Sequence, residues 1–306
     1  MGLRLGTWAP GPLSLAGAVS IETFIQMLIF GVLRSGLYSL ASVGLALSVG
    51  VIGIVNFAHG EFLMLGAYMG YWLFASYGVD PLAAIPLGAA GIFLIGSLTY
   101  RSAIQRVLRA PELNQMLLTF GISIFLQNLA IILWTGDPRV ATVSYKATAV
   151  SLGPFTVGLP QLLVFAVAMT LTLSLYAVLG RTRIGKAMRA VAQNRLGASL
   201  LGIEVDRVYL LAFGLSTALA GTAGLMITLQ LSVSPFIGLL YTLKAFAIIV
   251  IAGLGNINGV IYASLVLGLS EAFVEFYVPQ GGGWAEGVFF LLILLVLLVR
   301  PQGLFK

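Results

Sequence analysis

The sequence contains no cysteine and only one histidine, and both shortages exclude classes of site. Without cysteine the chain has no disulfide, no thiolate metal site and no thiol nucleophile. A lone histidine, His59, excludes motifs that need two, including the H-E-x-x-H zinc site of metalloproteases. No other catalytic set is recognisable. We therefore predict a protein that is not an enzyme and that binds no metal or cofactor itself.

Charged residues are scarce as well. They make up 8% of the chain, against 59% for apolar residues, whereas about 25% charged residues is usual in a soluble domain. Because so few charges cannot cover a soluble surface, lipid must face most of the molecule. At about 20 residues per helical span, the chain holds about eight to ten transmembrane helices. We predict an all-α polytopic membrane protein.

Runs without charge mark the predicted spans. The apolar stretch 21–33 either extends the first helix, lies in the membrane interface or forms a partial extra span. Residues 1–20 lack an apolar run of signal-peptide length, so we predict an N-terminal tail there and a transmembrane domain over 21–306. The predicted spans are 35–55, 60–78, 82–100, 114–134, 160–180, 208–230, 241–255, 257–278 and 285–299.

The positions of the basic residues predict which connections are cytoplasmic, because Lys and Arg concentrate in the cytoplasmic connections of membrane proteins. The connections 101–113 and 181–207 and the C-terminal tail fall on one side, which we predict to be cytoplasmic. The same rule explains the net charge of +6 without a nucleic-acid partner. The basic residues on this side are Arg101, Arg106, Arg109, Arg181, Arg183, Lys186, Arg189, Arg195, Arg207, Arg300 and Lys306.

A polar segment interrupts the first two spans. Asn56, His59 and Glu61 place an amide, an imidazole and a carboxylate close together in the chain. Polar groups at membrane depth are costly and usually face the protein interior or a water-filled path. The segment therefore either breaks a helix to line a transport route or gate, or forms a short polar turn that caps the two helices.

The span 114–134 carries a regular polar pattern. Gln115, Thr119, Ser123 and Gln127 recur every four residues, so their side chains share one helical face. Such a face does not belong against lipid tails. It lines either a wet pathway or a neighbouring helix whose groups satisfy it.

Three further charges lie inside predicted spans. Glu271 and Glu275 are four residues apart and therefore share one helix face. We predict a structural ion pair between Lys244 and either Glu271 or Glu275, in preference to a substrate ligand. A conducting proton relay would require more buried acids than the sequence contains.

Two glycine-rich motifs come close to nucleotide-binding patterns, and neither is complete. Residues 180–186 fit G-x-x-x-x-G-K, but Ala187 stands where Ser or Thr should hold magnesium. The Gly-Leu-Gly of 253–255 is followed by Gly259, one place too late for G-x-G-x-x-G. We interpret the second motif as a helix break and predict no ATP site on this chain.

The connection 181–207 is basic and yet rich in apolar, helix-forming residues, and glycines divide it into segments. A structured, partly apolar loop is typical of a docking surface for a partner protein. The alternative is an amphipathic helix that lies against anionic lipid heads. Between the two, the residues favour docking.

The order of six sequence patterns resembles one family. Together they run from about residue 34 to 304 and are similar to the permease subunit of bacterial branched-chain amino acid ABC importers, the shorter of the usual permease pair. Related urea-import permeases share much of the pattern but are often longer at the N-terminus, which favours an amino acid substrate here. The patterns are 56–61 (N-F-A-H-G-E), 185–203, 206–208 (D-R-V), 244–246 (K-A-F), 253–257 (G-L-G-N-I) and 300–304 (R-P-Q-G-L).

The resemblance implies a type II-like ABC importer permease fold in the bacterial inner membrane. It implies a second permease subunit, two cytoplasmic ATPases that hold ATP and Mg²⁺, and a periplasmic binding protein that selects the substrate. ATPase closure would drive alternating access in the membrane. The resemblance also implies ATPase docking through the loop 181–207, and the residues concerned are Gly185, Arg189, Gln193, Asn194, Leu201 and Gly202.

Two alternatives to an amino acid importer remain open at this stage. A urea or amide ABC permease would share the architecture and the partners. A secondary transporter that works alone would use an ion gradient and sites built from intramembrane acids. The sparse acids and the long basic connection count against the second alternative.

Overall fold

The computed structural model describes residues 21–305, so the predicted tail 1–20 and Lys306 lie outside the described residues. Most of this part of the chain is helical. A π-helical turn, Tyr100–Ile104, joins α3 to α4, and strands β1 (Ala149–Leu152) and β2 (Phe155–Gly158) precede α6. The helices are α1 (Ile21–Ile52), α2 (His59–Tyr77), α3 (Ile85–Thr99), α4 (Gln105–Val107), α5 (Glu112–Trp134), α6 (Leu159–Arg181), α7 (Arg183–Gln193), α8 (Arg195–Leu200), α9 (Val205–Ile227), α10 (Ile237–Ala252), α11 (Gly259–Tyr277) and α12 (Gly281–Val299).

Within residues 21–305, seven helices are long and apolar enough to cross a membrane, with α3 to α4 taken as one. Two more helices match predicted spans. α10 is apolar but has only 16 residues, and α2 carries His59 and Glu61 in its first turn. Every predicted span is therefore helical, which confirms a polytopic helical membrane protein of the expected size.

Two element boundaries differ from the sequence prediction. α1 begins at Ile21, so the apolar stretch 21–33 extends the first helix, which has 32 residues. The predicted connection 101–113 is shorter than expected, because the helix continues through the π turn and α4 to Val107. Pro111 then separates α4 from α5, since proline disfavours helical backbone in the residue before it.

The connections 101–113 and 181–207 lie on the same face of the molecule. Arg109 from the first and Arg195 from the second line one cavity of about 500 Å³. The C-terminal segment packs against the last turn of α10, where the amide of Leu304 donates to the carbonyl of Ile251 at 2.8 Å. We name the face formed by the two connections the basic face.

The face at the other end of the helices carries the connection 135–158, and we name it the opposite face. The Tyr145 hydroxyl donates to Asp80 Oδ1 at 2.9 Å. Burial and the neighbouring carboxylate raise the pKa of Tyr145. Arg139 and Val233 exchange two backbone hydrogen bonds, at 2.8 and 2.7 Å. These contacts tie the connections of this face to one another.

A small β-hairpin on the opposite face adds strands to the predicted all-α fold. β1 and β2 pair antiparallel, with Val150 opposite Val157, and Gly153 at φ +64° makes the turn between them. The Gln26 side chain of α1 pairs with the backbone of Thr156, donating at 2.9 Å and accepting at 3.3 Å. The hairpin is thereby fixed to the beginning of α1.

The centre of the fold is formed by α1 and α9. In their most apolar windows 83% and 78% of the residues are buried, against 17% for α5 and for α12. α1 packs on α6, α9, α10 and α11, while α9 also packs on α2 and α3. α5 and α12 therefore lie at the edge of the bundle, with most of their apolar surface toward lipid or another chain.

Small residues let the central helices approach closely. At Gly224 an added Cβ would lie 1.9 Å from the carbonyl oxygen of Leu63 on α2. At Gly66 an added Cβ would lie 2.0 Å from the carbonyl oxygen of Gly221 on α9. Gly221 and Gly224 thus place the backbones of α2 and α9 in direct contact, as small residues commonly do between membrane helices.

Candidate functional site

The segment 53–58 breaks the chain between α1 and α2 and runs from the side of the basic face, where Val51 lines a cavity with Arg189, toward the middle of the bundle. At Gly44 of α1, an added Cβ would lie 3.2 Å from His59 Cε1 and 2.5 Å from the carbonyl oxygen of Ser216. Ser216 is the central residue of the membrane-spanning α9, so His59 lies level with that midpoint. Non-helical backbone occurs at such depth only where protein or a water-filled cavity surrounds it.

Protein contacts satisfy only part of this break. Asn56 is fully buried, and its Oδ1 accepts from the Ala58 amide at 3.0 Å. His59 Nε2 lies 2.8 Å from the carbonyl oxygen of Ala41. In the described part of the chain, Asn56 Nδ2, His59 Nδ1 and Glu61 Oε2 have no hydrogen-bond partner. A turn that merely caps two helices therefore does not account for all of its polar groups.

Glu61 lies in the first turn of α2, between α5 and α10. Its side chain is buried, and Oε1 accepts from Ser123 Oγ of α5 at 3.0 Å. On the other side it contacts Gly238 of α10, where an added Cβ would lie 2.6 Å from Oε2. Beside it, the Gly60 amide donates to Thr242 Oγ1 at 2.9 Å. Close packing of α2 on α10 thus holds the carboxylate in place.

Two of the four polar residues predicted on α5 reach this break. Thr119 is fully buried and donates to the carbonyl of Val55 at 3.3 Å. Ser123 donates to Glu61, as described above. The spacing in the sequence placed these residues on one helix face but could not identify what that face contacts. In the structure the face contacts α2 and the segment 53–58 before it.

The other two polar residues of that face lie away from the break. Gln115 Nε2 donates to the carbonyl of Ala110 at 2.9 Å, which ties the beginning of α5 to the preceding turn. Gln127 is half-buried, one turn beyond Ser123. The face therefore divides into interhelical contacts near its middle and looser polar groups at its ends. Its part in a transport path stays a prediction.

The structure brings Lys244 and Glu271 together, with Nζ 2.9 Å from Oε1. Lys244 also donates to the Tyr38 hydroxyl at 2.8 Å, and that hydroxyl in turn donates to Glu271 Oε2. Both charged side chains are largely buried. The three residues come from α1, α10 and α11, so the contact joins three helices inside the membrane.

Glu275 does not share this pair. It binds Arg34 of α1 through two hydrogen bonds, at 2.6 and 2.7 Å. Of the two carboxylates predicted as alternatives, the partner of Lys244 is therefore Glu271, and Glu275 pairs with Arg34 of α1. One signal could have found Arg34: two acids facing one lysine leave an unbalanced charge in the membrane, and a second cation must offset it.

The basic connection between α6 and α9 folds into the short helices α7 and α8. Thr182 Oγ1 accepts from the Gly185 amide at 3.1 Å and caps α7. Asn194 Oδ1 accepts from the Gly197 amide at 2.8 Å and caps α8. Gly202 ends the segment at φ +81°, a conformation that glycine adopts without steric cost. We name α7, α8 and the turn to Gly202 the docking segment.

The six residues predicted to dock differ in their exposure. Leu201 is 83% exposed, and Leu196 and Leu200 are exposed beside it. Gln193 and Asn194 are exposed as well. These residues present an apolar surface with polar neighbours on the basic face. Among the described residues, nothing covers the three leucines.

Gly185 and Arg189 make contacts within the chain. At Gly185 an added Cβ would lie 2.3 Å from the carbonyl oxygen of Val178, so this glycine lets α7 pack on the end of α6. The guanidinium of Arg189 donates to the carbonyl of Leu179. The expectation that Arg189 meets acidic groups of a partner therefore competes with a bond that already anchors α7 to α6.

Neither near-miss nucleotide motif forms a phosphate-binding loop. Residues 180–186 cross from α6 into α7, whereas the strands of the described residues lie in the hairpin on the opposite face. Residues 253–255 connect α10 and α11, with Gly253 at φ +93° and Gly255 at φ +78°. The second motif is a helix break, as its glycines indicated.

Comparison with known proteins identifies the family. The family model described as "Branched-chain amino acid transport system / permease component" matches residues 27–298. The chain belongs to this family. It is 31% identical to the high-affinity branched-chain amino acid transport system permease protein BraD of Pseudomonas aeruginosa, over 93% of this chain and 96% of the relative. It is 33% identical to the corresponding protein LivH of Escherichia coli, over 92% and 95%.

A second Escherichia coli permease protein of this kind, LivM, is 31% identical over 88% of this chain but only 67% of its own length. The chain therefore matches the whole of the shorter permease type and part of the longer one. No solved structure matches it. The predicted resemblance to the shorter permease of a branched-chain amino acid transporter is confirmed. The break, the ion pairs and the docking segment are features of a permease.

Proposed function

We propose that this permease is the transmembrane subunit of an ATP-driven importer of branched-chain or other hydrophobic amino acids. The full-length match to branched-chain amino acid permease proteins carries this proposal. In it, a second, longer permease of the LivM kind completes the membrane pair. Two ATPases bind on the basic face, and a periplasmic binding protein delivers the amino acid to the opposite face.

The basic face is cytoplasmic in this proposal, and so is the C-terminus. The concentration of Arg and Lys there supports this orientation. The exposed leucines of the docking segment supply the apolar contact for an ATPase, and the capped helices keep that surface in a fixed shape. ATP and Mg²⁺ are held by the ATPases, which agrees with the helical structure of residues 180–186.

The break between α1 and α2 is the proposed path or gate. It places polar side chains in the middle of the membrane, where they have unsatisfied atoms. α5 covers it and packs on the rest of the chain mainly through α2 and the π turn, so a small displacement of α5 uncovers the break. The residues of the proposed path are Asn56, His59, Glu61, Gln115, Thr119, Ser123 and Gln127.

A secondary transporter that works alone receives less support. Four membrane charges, Arg34, Lys244, Glu271 and Glu275, pair with one another. Glu61 is then the one buried acid of the described residues without an ion pair, and a single acid does not make a conducting relay. A urea or amide permease of the same architecture also receives less support. The relatives described above are branched-chain amino acid permease proteins.

Purification with the partner subunits tests the proposal. The chain alone should not hydrolyse ATP, and Lys186→Ala should change nothing in that measurement. Its complex with the second permease and the two ATPases should hydrolyse ATP, and the loaded binding protein should accelerate hydrolysis. Saturable ATP binding by the chain alone, or an assembly that forms without ATPases and transports, would refute the proposed division of labour.

A further inference from the structure

Glu61 is an acid without a charged partner in the middle of the membrane. Among residues 21–305 two acids are buried, Glu61 and Glu271. Glu271 forms an ion pair with Lys244, and Glu61 forms none. Its Oε2 has no hydrogen-bond partner in the same part of the chain. A buried carboxylate is strongly disfavoured unless a cation or several donors face it. The arrangement therefore lacks a positive group at Glu61.

The cover over Glu61 is thin and removable. One hydroxyl, that of Ser123, bonds the carboxylate from α5. Only 17% of the most apolar window of α5 is buried, and its further packing on α2 lies near its other end, at Ala130 and Trp134. Little packing therefore opposes a local shift of α5 beside Glu61. Gly238 lies on the other side without a side chain, which leaves the carboxylate close to the α10 backbone. Moving α5 exposes the carboxylate while α2 and α10 stay together.

Aromatic side chains border the same break. The ring of Phe57 lies between those of Phe246 on α10 and Phe120 on α5, with centroid distances of 5.2 and 6.4 Å. An apolar side chain of a small ligand can contact these rings, and their faces also attract an ammonium group. A metal cation of the hard class prefers about six or more oxygen ligands, whereas one carboxylate and one hydroxyl face this position.

We propose that Glu61 is the counter-ion for the ammonium group of the transported amino acid, and that Phe57, Phe120 and Phe246 contact its apolar side chain. The inference rests on the proposed transport function and names the residue that recognises the substrate class in the membrane. A neutral amide or urea offers no cation to this carboxylate.

Uptake by the complete transporter in proteoliposomes tests this role. Glu61→Gln keeps a hydrogen-bond acceptor for Ser123 and a side chain of the same volume beside Gly238, but it removes the negative charge. Leucine uptake should then fall about tenfold or more, as expected for the loss of a charge-assisted hydrogen bond. Glu61→Asp should retain part of the uptake. Glu286→Gln, at an exposed position of α12 away from the break, is the matched control and should be unchanged. Wild-type uptake by Glu61→Gln would overturn the proposal.

A binding measurement tests the role of Glu61 independently of ATP-driven uptake. Saturation-transfer NMR on the detergent-solubilised complex should detect 3-methylbutylamine on the wild type and on Ser123→Ala, and should lose it on Glu61→Gln. The signal of 4-methylpentanoate, which has no ammonium group, should not depend on Glu61. Equal amine signals with and without the carboxylate would refute the assignment. Failure of ATP-driven uptake in the wild type, with amine binding intact, would instead refute the proposed function.

Discussion

The buried pair of Lys244 and Glu271 makes a residue-scale prediction about stability. Removal of one partner strands the other charge, which costs about 3–5 kcal/mol. Glu271→Gln should therefore lower the free energy of unfolding of the permease in detergent by that order. The double variant Lys244→Met with Glu271→Gln should recover part of the loss, because no charge is then stranded. Thermal unfolding of the purified variants measures both effects.

Glu275 provides the control for this experiment. Its pair with Arg34 is half-buried, at 32% and 30% exposure of the two side chains. Water screens such a pair, and partly exposed ion pairs contribute about 1 kcal/mol or less. Glu275→Gln should thus destabilise the protein less than Glu271→Gln. Additive losses in the double variant of Lys244 and Glu271 would mean that these two charges do not meet.

A second residue-scale prediction concerns the contact of α2 with α10. At Gly60 an added Cβ would lie 1.9 Å from the carbonyl oxygen of Gly238 and 2.3 Å from Thr242 Oγ1. Gly60→Ala must separate the two helices and should destabilise the protein by about 1–3 kcal/mol. Gly121→Ala on α5 is the matched control, because an added Cβ there meets nothing within 4 Å. If Gly60→Ala leaves the free energy of unfolding unchanged, α2 and α10 do not pack this closely beside Glu61.

Sequence alone located the functional residues better than their partners. The polar run at Asn56 and the four-residue spacing around Ser123 were each visible in the sequence, because polar residues in an apolar run stand out. Their meeting was not visible, since Glu61 and Ser123 lie 62 positions apart in the chain. A large sequence separation also hid the pairing of Arg34 with Glu275, which lie 241 positions apart.

At the scale of elements, the docking segment is the part whose shape the sequence indicated most clearly. The sequence predicted helix-forming residues divided by glycines, and the structure has two short helices there, with Gly202 in a left-handed turn. Their N-caps, Thr182 and Asn194, are seen only in the structure. The helical continuation to Val107 was not foreseen, because the arginines of 101–109 resemble a connection in composition. Burial of Tyr100 and Ile104 against the bundle overrides that composition.

Gly202→Asp tests the docking segment as an element. The position is open, with nothing within 4 Å of an added Cβ, and Asp tolerates left-handed backbone better than most residues. The variant should therefore reach the membrane in normal amount. The new charge at the apolar contact should abolish amino acid uptake and the acceleration of ATP hydrolysis by the binding protein.

Gly153→Asp is the control for that variant. Gly153 also has a positive φ, +64°, and also has open space around it, but it lies in the hairpin on the opposite face. It should leave ATPase coupling unchanged. If Gly202→Asp supports normal uptake in an intact assembly, the ATPase docks elsewhere, and the connection 101–113 becomes the next candidate.

At the scale of the whole molecule, the absence of native cysteine permits a direct test of orientation. Ser199→Cys places an exposed thiol on the basic face, and Ser151→Cys places one on the opposite face. A membrane-impermeant thiol reagent added outside intact cells, with outer-membrane access provided, should label Ser151→Cys alone. Labelling of Ser199→Cys under the same conditions would reverse the proposed topology.

The central claim is that the permease belongs to a transporter driven by ATP. Uptake of labelled leucine into proteoliposomes containing the complete assembly tests it most directly, with ATP on the side of the basic face and loaded binding protein on the opposite face. Uptake should require both ATP and the loaded binding protein, and it should persist when proton and sodium gradients are abolished. Uptake driven by either gradient without ATP would contradict it.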